Sequence, residues 1–584
     1  MPEVETAEHC PSGATSTRDE TRLTPVATLG ALWLLLPLCF GLALRLWNVS
    51  AQVLGDDEAH MVRLALVAKV SEILTTYQLA DASLPLTALF RFLMDRGCQL
   101  TEIDFRLPSL ITGALLLVAA PLLAVRRWGA RVGIALAWLL ALSPNLVFYS
   151  RIARSYMPVV LLAGVAAVAF ESWWRHPRWW SAATYVLCAA LATWLHPVAA
   201  SFAVASPFAF AAAALVARRE ERRRLAPLAG LAMAMAVSLL AFMLPARQSL
   251  LRLISDKHQH ETPSPRAVWA TLELLAGNGH WPVAALFWAA ALGGLALLWQ
   301  EHPRSAAFTA VLALGHGGAL LLLSPEFYAI PLIFCRYLLV ALPVVLLWLA
   351  FALARVTSWT ALPRALRWGV PALFLALLLG TGPLVDPSLR RTSFAHRDGY
   401  LEFCSPRDRL AAGDVPEFYR GLTLVAGPGA VLEYPWNTVW RLNRAYSLYQ
   451  ETHRREVVVG SPYPPSWDER LDFRNMAPGL PEGFLASRAR YLVIHRDLAR
   501  EEARVRDSSW RPVGELLTLA RGTLQAQARL TGRRLKRLWG DPDYADEWIQ
   551  VWDLDRIRAS PVARLKDESA DCGRAASRRG PRPG

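Results

Sequence analysis

Seven cysteines are scattered through the 584 residues, and they form no CxxC pair and no metal-ligand spacing. That excludes a disulfide framework and a zinc finger. No internal repeat of fixed period is present, so neither a solenoid nor an inverted-repeat transporter gains support. The long apolar runs are almost free of Asp, Glu, Lys and Arg. Transporters place charged groups inside mid-membrane helices, so this scarcity favours chemistry at the membrane edge over translocation. The first apolar run, Val26 to Leu44, lacks a small-residue cleavage site after a polar tail at 1–25. It therefore reads as a retained signal anchor rather than a signal peptide.

What the chain has in abundance is apolar. Hydrophobic residues make up 54% of it and mean hydropathy is +0.26, with the apolar residues in blocks. Such a composition indicates a polytopic α-helical membrane protein. After the first run, others long enough to cross a bilayer lie at 107–125, 132–149, 157–172, 179–195, 197–217, 225–244, 282–299, 305–323, 337–354 and 368–384. This predicts about 11 transmembrane helices. A net charge of +14 could point to nucleic acid, but the basic residues sit in short connections and near the end of the chain. That pattern belongs to membrane orientation, and no nucleic-acid partner is expected.

One set of alternate connections holds Arg126, Arg127, Arg131, Arg175, Arg178, the RREERRR run with Arg218, Arg219, Arg222, Arg223 and Arg224, then Arg304, Arg355, Arg364 and Arg367. The opposite short connections hold Arg151, Arg154 and Arg336. Fourteen against three puts the N-terminus and the first set in the cytoplasm, and everything after residue 384 on the outer side.

Two outer loops are long. The first, 46–106, carries Gly55, Asp56, Asp57, Glu58, Ala59 and His60. Three adjacent carboxylates at a membrane edge are costly unless water, a cation or a substrate proton meets them. They are candidate catalytic residues, with a solvated acidic loop as the alternative. The stretch EAHMVRLALVAKVSEILTTY that follows is too charged to span and suits a helix lying in the interface, with a second at Pro85–Asp95. The second loop, 245–281, carries Asp256, Lys257, His258, His260 and His280 without close spacing to a carboxylate, so it reads as a solvated loop more than a metal site.

From 385 to 560 the pattern becomes that of a small α/β domain on the outer face. Its short apolar strands are expected at LTLVAG (422–427), AVLEYP (430–435), EVVVG (456–460) and RYLVIH (490–495), with turns such as SPYPPSW at 461–467. The tail at 561–584, rich in Arg, Ser, Gly and Pro, reads as disordered.

An outward-facing carboxylate can take the proton of an acceptor hydroxyl while that hydroxyl attacks a sugar's anomeric carbon. A leaving lipid phosphate would need arginines or a cation to hold its charge. Arg106, Arg151, Arg154 and Arg336 lie on the expected face. GDDEAH, SLPLTALFRFLMDRG, FRLPSLITGALLL, FYSRIARSYMPVVLLAG, WLHP and CRYLLVALPVVLL, in this order, resemble GT-C glycosyltransferases. The nearest kin are of the protein O-mannosyltransferase and aminoarabinose-transferase type, family 39 in the broad sense, and the resemblance covers residues 26–384.

The resemblance implies a GT-C fold in the bacterial inner membrane with a C-terminal periplasmic domain. It implies a polyprenyl-phosphate sugar donor drawn from among the membrane lipids and a periplasmic acceptor that is a protein, lipid or glycan. The family's Asp-Glu pair falls on Asp57 and Glu58, making Asp57 the general base of a single inverting displacement. Asp56 is an extra neighbour, and repulsion among the three carboxylates should raise at least one pKa unless a cation compensates. The substrate or phosphate ligands fall on Arg106, Arg154, Tyr156, His196, Arg336 and Tyr337. Their structural alternatives are helix caps for Arg106 and His196 and an interfacial anchor pair for Arg154 and Tyr156. A divalent cation would fall to Asp57 and His60. Where relatives carry an acidic residue or Gln between the two arginines of the third outer segment, this chain has Ile152, so a second carboxylate ligand is missing at that place. The competing functions are a lipid-sugar or solute transporter and a non-catalytic relative whose outer domain binds an envelope partner.

Overall fold

The structure, a computed structural model, describes residues 25–47, 49, 58, 61, 64–65, 68–77, 83–98, 100, 102–256, 263–325, 329, 331–385, 415–425, 429–435, 449, 452–453, 455, 481–487, 489–500 and 514–560.

The membrane part is built from helices α1 (Pro25–Leu46), α2 (Val70–Thr75), α3 (Leu84–Asp95), α4 (Glu102–Trp128), α5 (Ala130–Leu142), α6 (Pro144–Ser150), α7 (Tyr156–Arg175) and α8 (Trp179–Leu195). A π-turn at Ser201–Ala205 leads into α9 (Ser206–Ala217), followed by α10 (Leu225–Met243), α11 (Arg247–Asp256), α12 (Pro265–Ala276), α13 (Trp281–Glu301) and α14 (Pro303–Leu323). α15 (Pro331–Leu338) tightens to a 3₁₀ turn at Leu339–Ala341 before α16 (Leu342–Ser358) and α17 (Arg364–Gly380).

Each apolar run read from the sequence is carried by helix. Among the described residues six helices are long and apolar enough to cross a membrane, or seven if the bent pair α5 and α6 is one span. The other four runs lie on Trp33–Leu46 within α1, α8, α9 and α17, which are shorter over their described residues. Apolar length sets the helices because no water is present in the bilayer core to satisfy an irregular backbone.

Two apolar clusters hold the bundle. One joins α1 and α4–α7 to α12–α17 around Leu140, Leu342 and Trp348; the other joins α7 to α8–α10 and α14. In the second, Ala163, Ala166 and Ala169 of α7 face Ala189, Ala190 and Ala192 of α8, and small side chains let two backbones approach where lipid supplies no hydrophobic drive.

The bend between α5 and α6 is 62°. Pro144 removes a backbone donor and pushes Ser143 to an extended conformation (φ −68°, ψ 112°), which ends α5. Gly277, left-handed at φ +73° after α12, accepts Pro144 closely: a Cβ there would stand 2.5 Å from the Pro144 Cδ. Asn145 seals the corner with its Nδ2 donating to the Leu274 carbonyl at 2.8 Å.

The described residues between 58 and 77 differ from one long interfacial helix. Glu58, Met61, Leu64 and Ala65 are helical and buried, but the chain is extended at Lys69 before the short α2. Met61 and Ala65 pack on Phe90 of α3, Phe105 of α4 and Ala153, so this face meets protein.

The C-terminal domain contains α18 (Glu417–Leu422), β1 (Ala430–Tyr434), α19 (Pro481–Ala486), β2 (Ala489–His495), α20 (Gly514–Trp539), β3 (Tyr544–Ala545), β4 (Ile549–Asp553) and α21 (Leu554–Ala559). Its sheet order is β1-β2-β4-β3, with β1 and β2 parallel and the other pairs antiparallel. Two expected strands are found at β1 and β2. LTLVAG is corrected: Leu422 ends α18 and residues 423–425 form a turn, because Tyr419 and Leu422, three apart on one helix face, are buried together with Val431 and Tyr449. EVVVG and SPYPPSW lie outside the described residues.

Strand alternation sorts side chains to two faces. Leu432, Leu492 and Ile494 pack under α20 and α21, whereas Val431, Tyr491 and Val493 pack with Tyr419 and Tyr449. Glu433 lies on the second face, fully buried, accepting from the Tyr419 hydroxyl at 2.9 and 3.0 Å and paired with His495 Nε2 at 2.8 Å. His453 stacks on Tyr419 at 5.5 Å, and its Nδ1 accepts the Arg455 backbone N–H at 3.1 Å.

Candidate active site

The sole described member of the acidic cluster is Glu58, and it is 2% exposed. Arg106, near the start of α4, is fully buried and donates Nε to Glu58 Oε1 at 2.8 Å and Nη2 to Oε2 at 2.9 Å. Its Nη1 donates to the Val49 carbonyl at 3.0 Å, and Glu58 Oε1 also accepts the Ala153 backbone N–H at 2.7 Å. A buried carboxylate is tolerable only with this density of donors, and the planar guanidinium fork suits both of its oxygens. The clasp fastens the chain at Glu58 to α4 and to the turn between α6 and α7.

That turn, residues 151–156, is the hub. Arg151 Nη1 donates to the Leu44 carbonyl at 3.1 Å. The Arg154 carbonyl accepts from Ser109 of α4 at 2.7 Å. Ser155 Oγ lies 2.7 Å from Ser83 Oγ at the head of α3 and donates to the Leu195 carbonyl at the end of α8. Ile152 is buried against the apolar cluster beside Tyr149 and Met157, so an apolar side chain fills the place where the resemblance expects a carboxylate.

Beyond the hub, Arg336 of α15 donates Nη1 to the Tyr156 hydroxyl at 3.1 Å, and its Cζ stands 5.4 Å from that ring's centre. The Tyr156 ring also meets Tyr149 at 5.1 Å and His196 at 5.7 Å, and His196 meets Tyr337 at 6.2 Å. His196 is the residue after α8, its backbone N–H closing on the Ala192 carbonyl at 3.0 Å, so it ends the helix and also joins the aromatic group.

Of the residues singled out from the sequence, the fold thus gathers Glu58, Arg106, Arg154, Tyr156, His196, Arg336 and Tyr337 around one turn. Asp56, Asp57 and His60 lie outside the described residues, as do Lys257, His258 and His260. His280 is exposed ahead of α13. Among the described residues no group of three His, Cys, Asp or Glu could hold a metal ion. Glu58 is engaged by Arg106, and Ile152 puts an apolar side chain in the hub.

The sequence reading missed Arg45. It is 1% exposed in the last turn of α1 and donates to Ser150 Oγ at 3.2 Å, the Gly41 carbonyl at 2.9 Å and the Leu140 carbonyl at 3.1 Å. It staples α1 to the bent pair just ahead of the hub. Gly113 of α4 makes room for this contact, since a Cβ there would collide with Ser150 Oγ. A lone arginine at the end of an apolar run was the available signal.

No protein-family model matches the chain, and no curated protein matches it in sequence. Among solved structures it is similar to the crystal structure of ArnT from Cupriavidus metallidurans in the apo state, with 15% identity and a TM-score of 0.47 over 74% of this chain and 86% of that one. It is also similar to ArnT from the same organism bound to undecaprenyl phosphate, with 14% identity and a TM-score of 0.42 over 73% of this chain and 85% of that one.

Proposed function

We propose that this multi-pass membrane protein is a glycosyltransferase that moves a sugar from a polyprenyl-phosphate donor to an acceptor on the outer side of a bacterial inner membrane. The observation that carries the reading is the 151–156 turn. One short segment ties the first outer loop, through Glu58, to the arginine and aromatic side chains at Arg336, Tyr156, His196 and Tyr337. A membrane-edge carboxylate loop beside a guanidinium is what sugar transfer from a lipid phosphate needs.

In this reading Asp57 takes the acceptor hydroxyl's proton as its oxygen bonds to the anomeric carbon. The bond from that carbon to the phosphate oxygen breaks with inversion, and the electron pair leaves on the phosphate. Arg336, steadied by Tyr156, holds the departing charge with Arg154. Glu58 and Arg106 are assigned to holding the loop, one peptide from Asp57. The acceptor is a protein, lipid or glycan.

The test is mass spectrometry of envelope lipids and glycans from cells carrying the wild-type or the Asp57→Asn chain at matched membrane levels. Loss of one sugar from a glycoconjugate, with accumulation of its polyprenyl-phosphate donor, is the expected result. Unchanged pools would remove the catalytic reading.

A further inference from the structure

His316 sits in the middle of α14, fully buried in an apolar span. A polar ring in that setting needs partners for both nitrogens. Its Nε2 is 2.9 Å from the Tyr337 carbonyl oxygen, which can only accept, so Nε2 carries the proton. Its Nδ1 lies 2.7 Å from Ser201 Oγ and is left as acceptor, with the Ser201 hydroxyl shared between it and the Val198 carbonyl at 2.8 Å.

The surroundings are shaped for this pair. Ser201 opens the π-turn, a helix widening that re-aims side chains, and Ser206 Oγ donates to the Ser201 carbonyl at 2.8 Å. Gly315, beside His316, lets α14 come close: a Cβ there would stand 2.9 Å from Ser206 Oγ. Phe202 meets the imidazole edge-on at 5.8 Å and 89°, which holds the ring plane.

The carbonyl that His316 holds belongs to the junction where α15 tightens to the 3₁₀ turn. In that 3₁₀ turn the Leu342 backbone N–H closes on the Leu339 carbonyl, and the Tyr337 carbonyl one turn earlier meets His316. Immediately before the held peptide stand Arg336, on Tyr156, and Tyr337, on His196.

We propose that His316, oriented by Ser201, is a positioning residue that clamps the Tyr337 carbonyl and so sets the direction in which the Arg336–Tyr337 pair faces a polyprenyl phosphate. This rests on the reading of Arg336 as the phosphate contact. His316 and Ser201 act through the Tyr337 backbone and touch no substrate.

The test measures binding of undecaprenyl phosphate to the purified full chain in detergent, with thermal unfolding in parallel. His316→Leu removes the donor, whereas His316→Gln keeps one at the place of Nε2. His316→Leu should weaken binding about ten-fold or more, and His316→Gln should restore it to within about three-fold of wild type. Leu320→Ala on the same helix should lower the unfolding temperature without that loss of affinity. Ser201→Ala should weaken binding about three-fold and add little to His316→Leu, because the two residues form one unit. Unchanged affinity in both His316→Leu and Ser201→Ala, while Arg336→Ala binds poorly, overturns the positioning role alone. No binding by the wild-type chain overturns the carrier reading and the positioning role with it.

Discussion

Glu58 and Arg106 lie 48 residues apart and share two charge-assisted hydrogen bonds of 2.8 and 2.9 Å with neither side chain open to solvent. Removing one partner leaves an uncompensated buried charge. Arg106→Ala or Glu58→Leu should therefore cost about 3–5 kcal/mol. The double variant Glu58→Leu/Arg106→Leu should regain most of that loss. Thermal unfolding in detergent checks both; single variants within about 1 kcal/mol of wild type would show that the clasp does not hold the loop.

Arg336 and Tyr156 are linked by one hydrogen bond and by a guanidinium over a ring. If the guanidinium holds a phosphate, Arg336→Ala should weaken undecaprenyl phosphate binding about a hundred-fold, in line with a charge-assisted contact of ~3 kcal/mol. Tyr156→Phe keeps the ring and loses only the hydroxyl, so its effect should stay within about ten-fold. Equal losses in the two would argue that the hydroxyl itself meets the ligand.

Gly293 and Gly294 are neighbours on α13 with opposite surroundings. A Cβ on Gly294 would run into the Trp348 carbonyl of α16, whereas one on Gly293 meets nothing within 4 Å. Gly294→Ala should destabilise by about 1–3 kcal/mol or more, and Gly293→Ala should be neutral or gain up to ~1 kcal/mol from helix propensity. Matching unfolding temperatures for the two would contradict the close helix approach.

His453 gives the C-terminal domain an acid sensitivity. Burial, and then the nearby Arg455, push its pKa down to about 3 from 6.5. Its folded pKa lies below the unfolded one, so the stabilisation is complete above about pH 6.5 and falls as pH drops toward 3, by ~1.4 kcal/mol per unit. Hydrogen exchange of β1 and β2 in the full chain, corrected for intrinsic rates, should show weaker protection at pH 5 than at pH 7. His453→Phe should flatten that difference, and an identical acid dependence in the variant would rule His453 out.

The amino-acid sequence alone determined which segments are helical in the bundle, because apolar length and the cost of unsatisfied backbone in lipid are properties of local stretches. It also determined β1 and β2, whose runs AVLEY and RYLVIH are mostly apolar and are buried on both faces. It drew attention to Glu58, Arg106, Arg154, Tyr156, His196, Arg336 and Tyr337 through their order along the chain. Only the tertiary structure decided their partners. That Glu58 serves Arg106 and the Ala153 amide, that Arg45 staples the bent pair, and that a histidine 21 residues before Tyr337 clamps its carbonyl all depend on how helices cross. LTLVAG misled for the same reason, since its apolar run fits a strand or a helix end and packing chose the latter. Periodicity sums along the chain, while the partner of a buried polar group is set by which distant backbone arrives beside it.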